Sequence, residues 1–297
     1  MRIYTAIGVS IVALLGIIPM AVFAHVPYAV DLLPDTEVSM SGVVMITDPE
    51  ISRAYYDTLN GSTRLYRIES IEPFTLSLTL LVPLRTNPDG RFAAMVYRNG
   101  EMREMLDVVD GTLTTWEYYR EPLGSNEYLR GPELVREMEP GMYEIEVMGI
   151  GNAGKYVLSV GSTESFGIQS TLHSLHTIPV LKKTFFHSSP ATFFRSPLGA
   201  TQCILSVLFG ALLGWLIHYL RLRIPQRDDV GVVSKISSLS LPQSRLFAIV
   251  GALFFLVIGI AIWSPWMMIV SGFAWYQVGV LYWKKEIQKP LPQDNTF

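Results

Sequence analysis

The apolar residues of this chain are gathered into long, nearly uninterrupted runs, and no other feature constrains the fold as much. Beyond an N-terminal run at 1–24, such stretches occupy 198–220 and a pair across 246–283. Each internal run approaches the ~20 residues that an α-helix needs to cross a hydrocarbon layer ~30 Å thick. A soluble surface helix is apolar along one stripe only, so these runs predict helices surrounded by lipid. What remains, 25–166, has the balance of a water-exposed domain of ordinary size.

Charge divides along the same boundaries. Of 26 acidic residues, 22 fall within 25–166, whereas only 11 of the 23 lysines and arginines do. An acidic domain excludes a nucleic-acid partner, which demands a positive footprint. Arg2 precedes the first apolar run and Val22-Phe23-Ala24 ends it, the pattern of a signal peptide cleaved after Ala24, with an uncleaved anchor as the alternative. Arg221, Arg223, Arg227, Arg245, Lys284, Lys285 and Lys289 share one side if three helices cross in turn. The expected plan is therefore a signal peptide (1–24), an extracytoplasmic domain (25–166), an amphipathic juxtamembrane linker (167–197) and a transmembrane helix (198–220). A cytoplasmic loop (221–245), a transmembrane hairpin turning at Ser264-Pro265 (246–283) and a cytoplasmic tail (284–297) complete it. This is a multi-pass cell-membrane protein; the alternative for 246–283 is a shallow interfacial hairpin, since each half is nearer ~18 residues than ~20. The one cysteine, Cys203, lies in the first internal run, so the exported domain relies on its own core and not on disulfides.

Periodicity within that domain is that of strands. In 74–80, Phe74, Leu76, Leu78 and Leu80 alternate with Thr75, Ser77 and Thr79, which buries one face and wets the other. The strand at 91–98 runs into Asn99-Gly100, a hairpin signal, and Asn60-Gly61 and Asp110-Gly111 mark further turns. Short strands at short intervals predict an all-β sandwich or jelly roll followed by three transmembrane helices. Within 139–161, a Pro140-Gly141 turn leads to a strand with Tyr143, Ile145 and Val147, a Gly-rich loop, and a second strand from Gly154 and Tyr156 to Val160. This stretch resembles the closing hairpin of the bacterial pre-peptidase C-terminal β-sandwich. The resemblance implies a jelly-roll-like accessory module of a secreted or surface protein.

Candidate sites are few. If cleavage follows Ala24, the amine and imidazole of His25 could chelate copper, although His173, His176 and His187 are the nearest further histidines in sequence. Trp116, Glu117, Tyr118, Tyr119, Arg120, Glu121, Tyr128 and Arg130 cluster in a stretch without clean periodicity, as a binding surface of rings and ionic groups does; packing of a long loop is the alternative. Asp107, Glu117 and Glu121 together could hold Ca²⁺ through oxygen ligands. Glu144 and Glu146 read as the solvated side of a strand. The sequence contains no phosphate-binding Gly-rich loop, HExxH or GxSxG motif.

In the helices, Gly210 and Gly214 form a GxxxG pair, Gly251 and Gly259 share a face, and Gly272 and Gly279 thin the facing run. These predict close helix packing, within the chain, with a copy of itself or with a membrane-protein partner. Gln202, His218 and Gln277 are the sparse polar groups there, too few for a solute path through one subunit. The leading expectation is a membrane-anchored, non-catalytic binding or accessory protein. A sensory coupling protein, a copper-binding or hydrolytic ectodomain enzyme, and a small oligomeric channel are the alternatives.

Overall fold

The computed structural model describes residues 25–32, 38, 42–100, 102–122, 124–164, 167–223 and 245–287. The expected signal peptide, most of the loop 221–245 and the last ten residues of the expected tail lie outside the described residues. The chain forms two units, Met1–Gly199 and Ala200–Phe297.

The first unit is built of strands β1 (Val26–Ala29), β2 (Val44–Ile46), β3 (Arg53–Asn60), β4 (Arg64–Ser70), β5 (Phe74–Pro83) and β6 (Phe92–Asn99). They are followed by β7 (Arg103–Asp110), β8 (Glu117–Arg120), β9 (Glu127–Met138), β10 (Gly141–Gly149) and β11 (Ala153–Val160). One sheet has the order β1-β3-β11-β5-β9-β8 and the other β2-β4-β10-β6-β7. Neighbours run antiparallel except β1 with β3 and β2 with β4. The expected sandwich is thus present. Its inner faces follow the alternation: Leu76, Leu78 and Leu80 of β5, Tyr143, Ile145 and Val147 of β10, and Tyr156, Leu158 and Val160 of β11 fill one buried cluster. Each buried leucine contributes on the order of 2 kcal/mol by leaving water.

The strand pair of 139–161, expected as a closing hairpin, is not one. β10 pairs with β4 and β6, β11 with β3 and β5, so the chain arches from one sheet to the other. A 3-10 turn at Ile150–Asn152 makes the arch, with Gly151 and Gly154 at positive φ of 66° and 110°, a region open to glycine at little steric cost. The Asn99-Gly100 signal does close a hairpin, between β6 and β7.

A buried carboxylate sits within the sandwich. Asp57 is 2% exposed. Its Oδ2 accepts from Arg64 Nε at 2.7 Å, Tyr66 at 3.2 Å and Tyr156 at 3.1 Å, while Oδ1 accepts the Thr58 amide at 2.7 Å. A buried charge is tolerable when it is paired and its lone pairs are filled.

The stretch expected as a juxtamembrane linker contains helix α1 (Ile168–Thr184). Leu181 and the following Phe185 and Phe186 pack with Ala54, Tyr56, Leu81, Tyr128 and Val157 on the outer face of the first sheet. The C-terminal part of this amphipathic segment, Ile178, Leu181, Phe185 and Phe186, is therefore buried against protein, while Leu172 is exposed.

The second unit comprises α2 (Pro197–Arg223), which starts just before it, α3 (Arg245–Ala261) and α4 (Pro265–Ile287). Three spanning helices were expected; among the described residues one, Pro197–Leu220, is long and apolar enough to cross a membrane. The apolar stretch of α3, Leu246–Ala261, is only about 24 Å long at 1.5 Å per residue. In α4, Ser271, Gly272, Trp275, Tyr276 and Gln277 dilute the apolar run. The multi-pass plan is accordingly corrected to a single candidate span. Only 17% of its most apolar window is buried, the reverse of a soluble core helix.

Candidate functional site

Strand β8 pairs on one side with β9 and forms one edge of its sheet. Its short register, Glu117 with Arg130 through Arg120 with Glu127, places alternate side chains on opposite faces. Tyr118 stands 58% exposed, its hydroxyl donating to Glu127 Oε1 at 3.0 Å. Glu117, Arg120 and Arg130 are exposed as well. Arg130 lies over the half-buried ring of Tyr119 at 5.2 Å.

The rest of the aromatic and acidic cluster is drawn inward. Trp116 donates Nε1–H to the Gly111 carbonyl at 2.7 Å, and the Arg91 guanidinium stacks on its ring at 5.7 Å. A Cβ added at Gly131 would lie 2.9 Å from that ring, so glycine is needed there. Tyr128 is 2% exposed and bonds hydroxyl to hydroxyl with Tyr56 at 2.8 Å. Burial, reinforced by the charge of Glu121, raises the Tyr56 pKa far above its ordinary value.

Glu121 is the hinge between this surface and α1. Its carboxylate accepts the Gly124 amide at 3.0 Å and the Asn126 side-chain amide at 3.4 Å. Asn126 Oδ1 in turn accepts from Lys182 of α1 at 2.9 Å. Lys182 is 2% exposed, and desolvation lowers its pKa to about 8 against the opposing pull of Glu121. One face of the β8–β9 corner is thereby fixed by α1, while among the described residues no strand pairs with the other side of β8.

The residues considered for metals are not brought together. His25 precedes β1 at the opposite edge of the sheet from β8. Both of its ring nitrogens meet hydroxyls, Nδ1 that of Ser52 and Nε2 that of Ser159 at 2.9 Å, and burial lowers its pKa to about 4. Asp107 belongs to β7 in the other sheet and pairs with Arg136 at 3.1 Å. Glu117 is exposed on β8, and Glu121 is engaged as described. Among the described residues no group of three or more histidine, cysteine or carboxylate side chains is arranged to hold an ion. Glu144 and Glu146, expected to be merely solvated, form an ionic ladder: Glu144 with Arg67 at 2.8 Å, and Glu146 with Arg103 at 3.0 Å.

The helix glycines separate into two kinds. A Cβ on Gly210 would collide with the Ile269 carbonyl of α4, and one on Gly272 with the Val207 carbonyl of α2. Gly214 lies against Tyr276, and Gly259 against Met267 and Met268. Gly251 and Gly279 have nothing among the described residues within 4 Å of such an atom. Sequence reasoning missed Lys182, Asn126 and the Asp57 cluster; the only available signal was a lysine interrupting the apolar spacing of 178–186.

No family model matches the chain, and no curated protein matches its sequence at a significant level. Among solved structures there is a weak, partial match to the pre-peptidase C-terminal domain of a collagenase from Bacillus anthracis. It has 12% identity and a TM-score of 0.27, and covers 40% of this chain and 92% of that one. A surface-associated copper-binding protein of Methylomicrobium album BG8 matches at 7% identity and TM-score 0.22, over 43% of this chain and 99% of that one. A β-glucosidase from Paenibacillus barengoltzii matches at 16% identity and TM-score 0.22, over 45% of this chain and 13% of the enzyme. Similarity at this level assigns no activity. The molecule is a β-sandwich joined in sequence to one candidate membrane helix, in general terms a membrane-associated protein.

Proposed function

We propose that this chain is a non-catalytic binding or accessory module that holds its sandwich outside the cytoplasm on a single membrane span and engages a protein partner at the β8–β9 corner. The observation that carries the reading is the open edge of β8. Glu117 on one face of the strand and Tyr118 and Arg120 on the other, with Arg130 opposite Glu117, are all exposed, while Tyr128 is bonded to Tyr56 of β3 and Glu121 is tied through Asn126 to Lys182 of α1. An edge strand whose base is hydrogen-bonded and which exposes ring and guanidinium groups suits partner recognition, because main-chain and side-chain donors are already placed. The acidic surplus of the sandwich keeps it soluble beside a membrane. Gly251 and Gly279, open among the described residues, leave room for a neighbouring apolar helix.

The test is a photo-crosslinking residue at Tyr118 in the full-length protein, activated in intact cells. A discrete adduct that disappears when Arg120 and Arg130 are both changed to Glu is the expected result. Labelling unchanged by that double substitution, or no adduct at all, would remove the assignment of this edge.

A further inference from the structure

On the first sheet's outer face, past the C-terminal end of α1, lies a cleft of about 540 Å³. Its polar lining is Thr58, Arg85, Thr86, Lys155 and His187, with the ring of Phe186 as its aromatic wall. The lining includes two cationic side chains, Arg85 and Lys155, together with the His187 imidazole and no carboxylate, whereas residues 25–166 hold twice as many acidic residues as lysines and arginines. Such a local reversal of charge costs self-repulsion unless an anion offsets it.

The basic groups are held in place by a built frame. Thr58 and Lys155 are register partners on β3 and β11. The turn carrying Arg85 and Thr86 is fixed to β11 by Asn87, whose side chain donates to the Lys155 carbonyl at 2.9 Å and whose amide donates to the Pro83 carbonyl at 3.0 Å. Lys155 Nζ donates to the Phe185 carbonyl at 2.6 Å, to the Thr184 carbonyl at 3.2 Å and to His187 Nε2 at 3.0 Å. An ammonium can only donate, so the imidazole accepts at Nε2 and offers its Nδ1 hydrogen elsewhere. His187 is held there in a left-handed backbone conformation, φ 48°, a geometry that non-glycine residues adopt at a cost. Arg85 has no hydrogen-bond or ion-pair partner among the described residues, and is exposed. A planar guanidinium with five N–H donors, an imidazole N–H and the Thr58 hydroxyl are thus all unspent at one cleft.

From this we infer that the cleft binds a phosphate group, with Arg85 as the principal ligand, His187 and Thr58 as further donors, and the Lys155 charge behind them. A tetrahedral oxyanion accepts more hydrogen bonds than a carboxylate and matches this number of donors. The aromatic wall admits an organic substituent on the phosphate. Burial alone lowers the Lys155 pKa, and a bound anion would relieve that penalty. The phosphate can come from a lipid headgroup or from a free phosphate compound; the site goes beyond the partner-binding edge and does not depend on it.

The experiment is isothermal titration of the full-length protein in a neutral, phosphate-free detergent at fixed ionic strength. One arm uses inorganic phosphate and the other water-soluble dihexanoyl phosphatidylglycerol. Binding in at least one arm, weakened at least tenfold in Arg85→Gln, supports the site. Arg85→Gln removes an exposed, unpaired group, so its melting temperature should match that of the wild type, which separates lost binding from lost folding. Binding of phosphate in both arms identifies the bare group as sufficient, and binding of the lipid alone identifies a headgroup site. Absence of heat in both arms, or equal affinity in wild type and Arg85→Gln, overturns the inference.

Discussion

In the sandwich, the rings of Tyr55, Tyr66, Tyr143 and Tyr156 lie buried between two sheets, whereas in the helical unit Phe209, Trp215, Phe247 and Phe254 face outward. The inward tyrosines bring hydroxyls that must find partners, and the Asp57–Arg64 pair supplies them for Tyr66 and Tyr156. The helical unit solves the opposite problem. It hides little apolar surface, so cohesion comes from backbones brought close at Gly210 and Gly272. Hydrophobic burial drives association in water but gives no advantage among lipid tails, where tight packing takes over. The same chain therefore uses two physical devices, each suited to one solvent.

The sharpest way to break the contrast is to remove the buried carboxylate. Asp57→Ala removes the carboxylate that pairs the Arg64 guanidinium and accepts from the Tyr66 and Tyr156 hydroxyls, which keep only their bond to each other, and should cost the sandwich about 3 kcal/mol or more. Five of the six tryptophans lie beyond residue 200, Trp116 being the exception. In urea denaturation of the detergent-solubilised chain, the tyrosine near-ultraviolet dichroism should therefore shift to lower urea while tryptophan fluorescence holds. A parallel shift of both signals would show that the two units unfold as one.

Gly272→Leu should do the reverse, forcing α2 and α4 apart at a cost of about 1–3 kcal/mol and moving the tryptophan signal first. Gly251→Leu is its control: nothing lies within 4 Å of the new Cβ, and the change should stay within about 0.5 kcal/mol. Equal effects at the two positions would mean that close approach is not what holds these helices.

The smallest effect is one of pH. Lys182 titrates near 8 in the folded chain, against about 10.4 in the unfolded one. Between those values the unfolded chain binds the extra proton, so stability rises with pH through this window and its contribution is missing below it. Above about pH 10 the buried tyrosines, whose pKa values are raised, reverse the trend, because the unfolded chain then ionises first. Lys182→Met should flatten the rise between pH 8 and 10 in melts of the full chain, and an undiminished rise would place its source elsewhere.

The strand content of the sandwich was legible wherever one face is wet. The β5 alternation of leucine with threonine and the Asn99-Gly100 turn both declare themselves in the sequence. Strand β9 did not, because Gly131-Pro132 reads as a break; the structure places that pair opposite Leu80, where the register with β5 shifts. A bulge accepts a proline that a regular ladder rejects. What the linker packs against was not legible for a different reason. Periodicity shows that Leu181 and Phe185 seek an apolar surface but not whether that surface is lipid or the back of a sheet. Of the candidate site, the cluster 116–130 was visible as composition. Its division into exposed Tyr118, Arg120 and Arg130 and buried Glu121 and Tyr128 depends on Lys182, more than fifty residues away. The three helices are there, but the number of spans is smaller than the apolar runs suggest, because that of α3 is short and that of α4 is diluted by small and polar residues.

The two sheets have one more consequence, for the order in which the molecule can be made. Strand β10 lies between β4 and β6, and β11 between β3 and β5, so the last strands in sequence are the keystones of both layers. Until residues through Val160 have left the ribosome and any export channel, each sheet exists only as two unjoined halves with open inner edges. Such long-range closure is slow, and exposed strand edges invite pairing with other chains. The nascent sandwich is thus at its most vulnerable just before its final twenty residues arrive, and any protection it receives is needed at that moment.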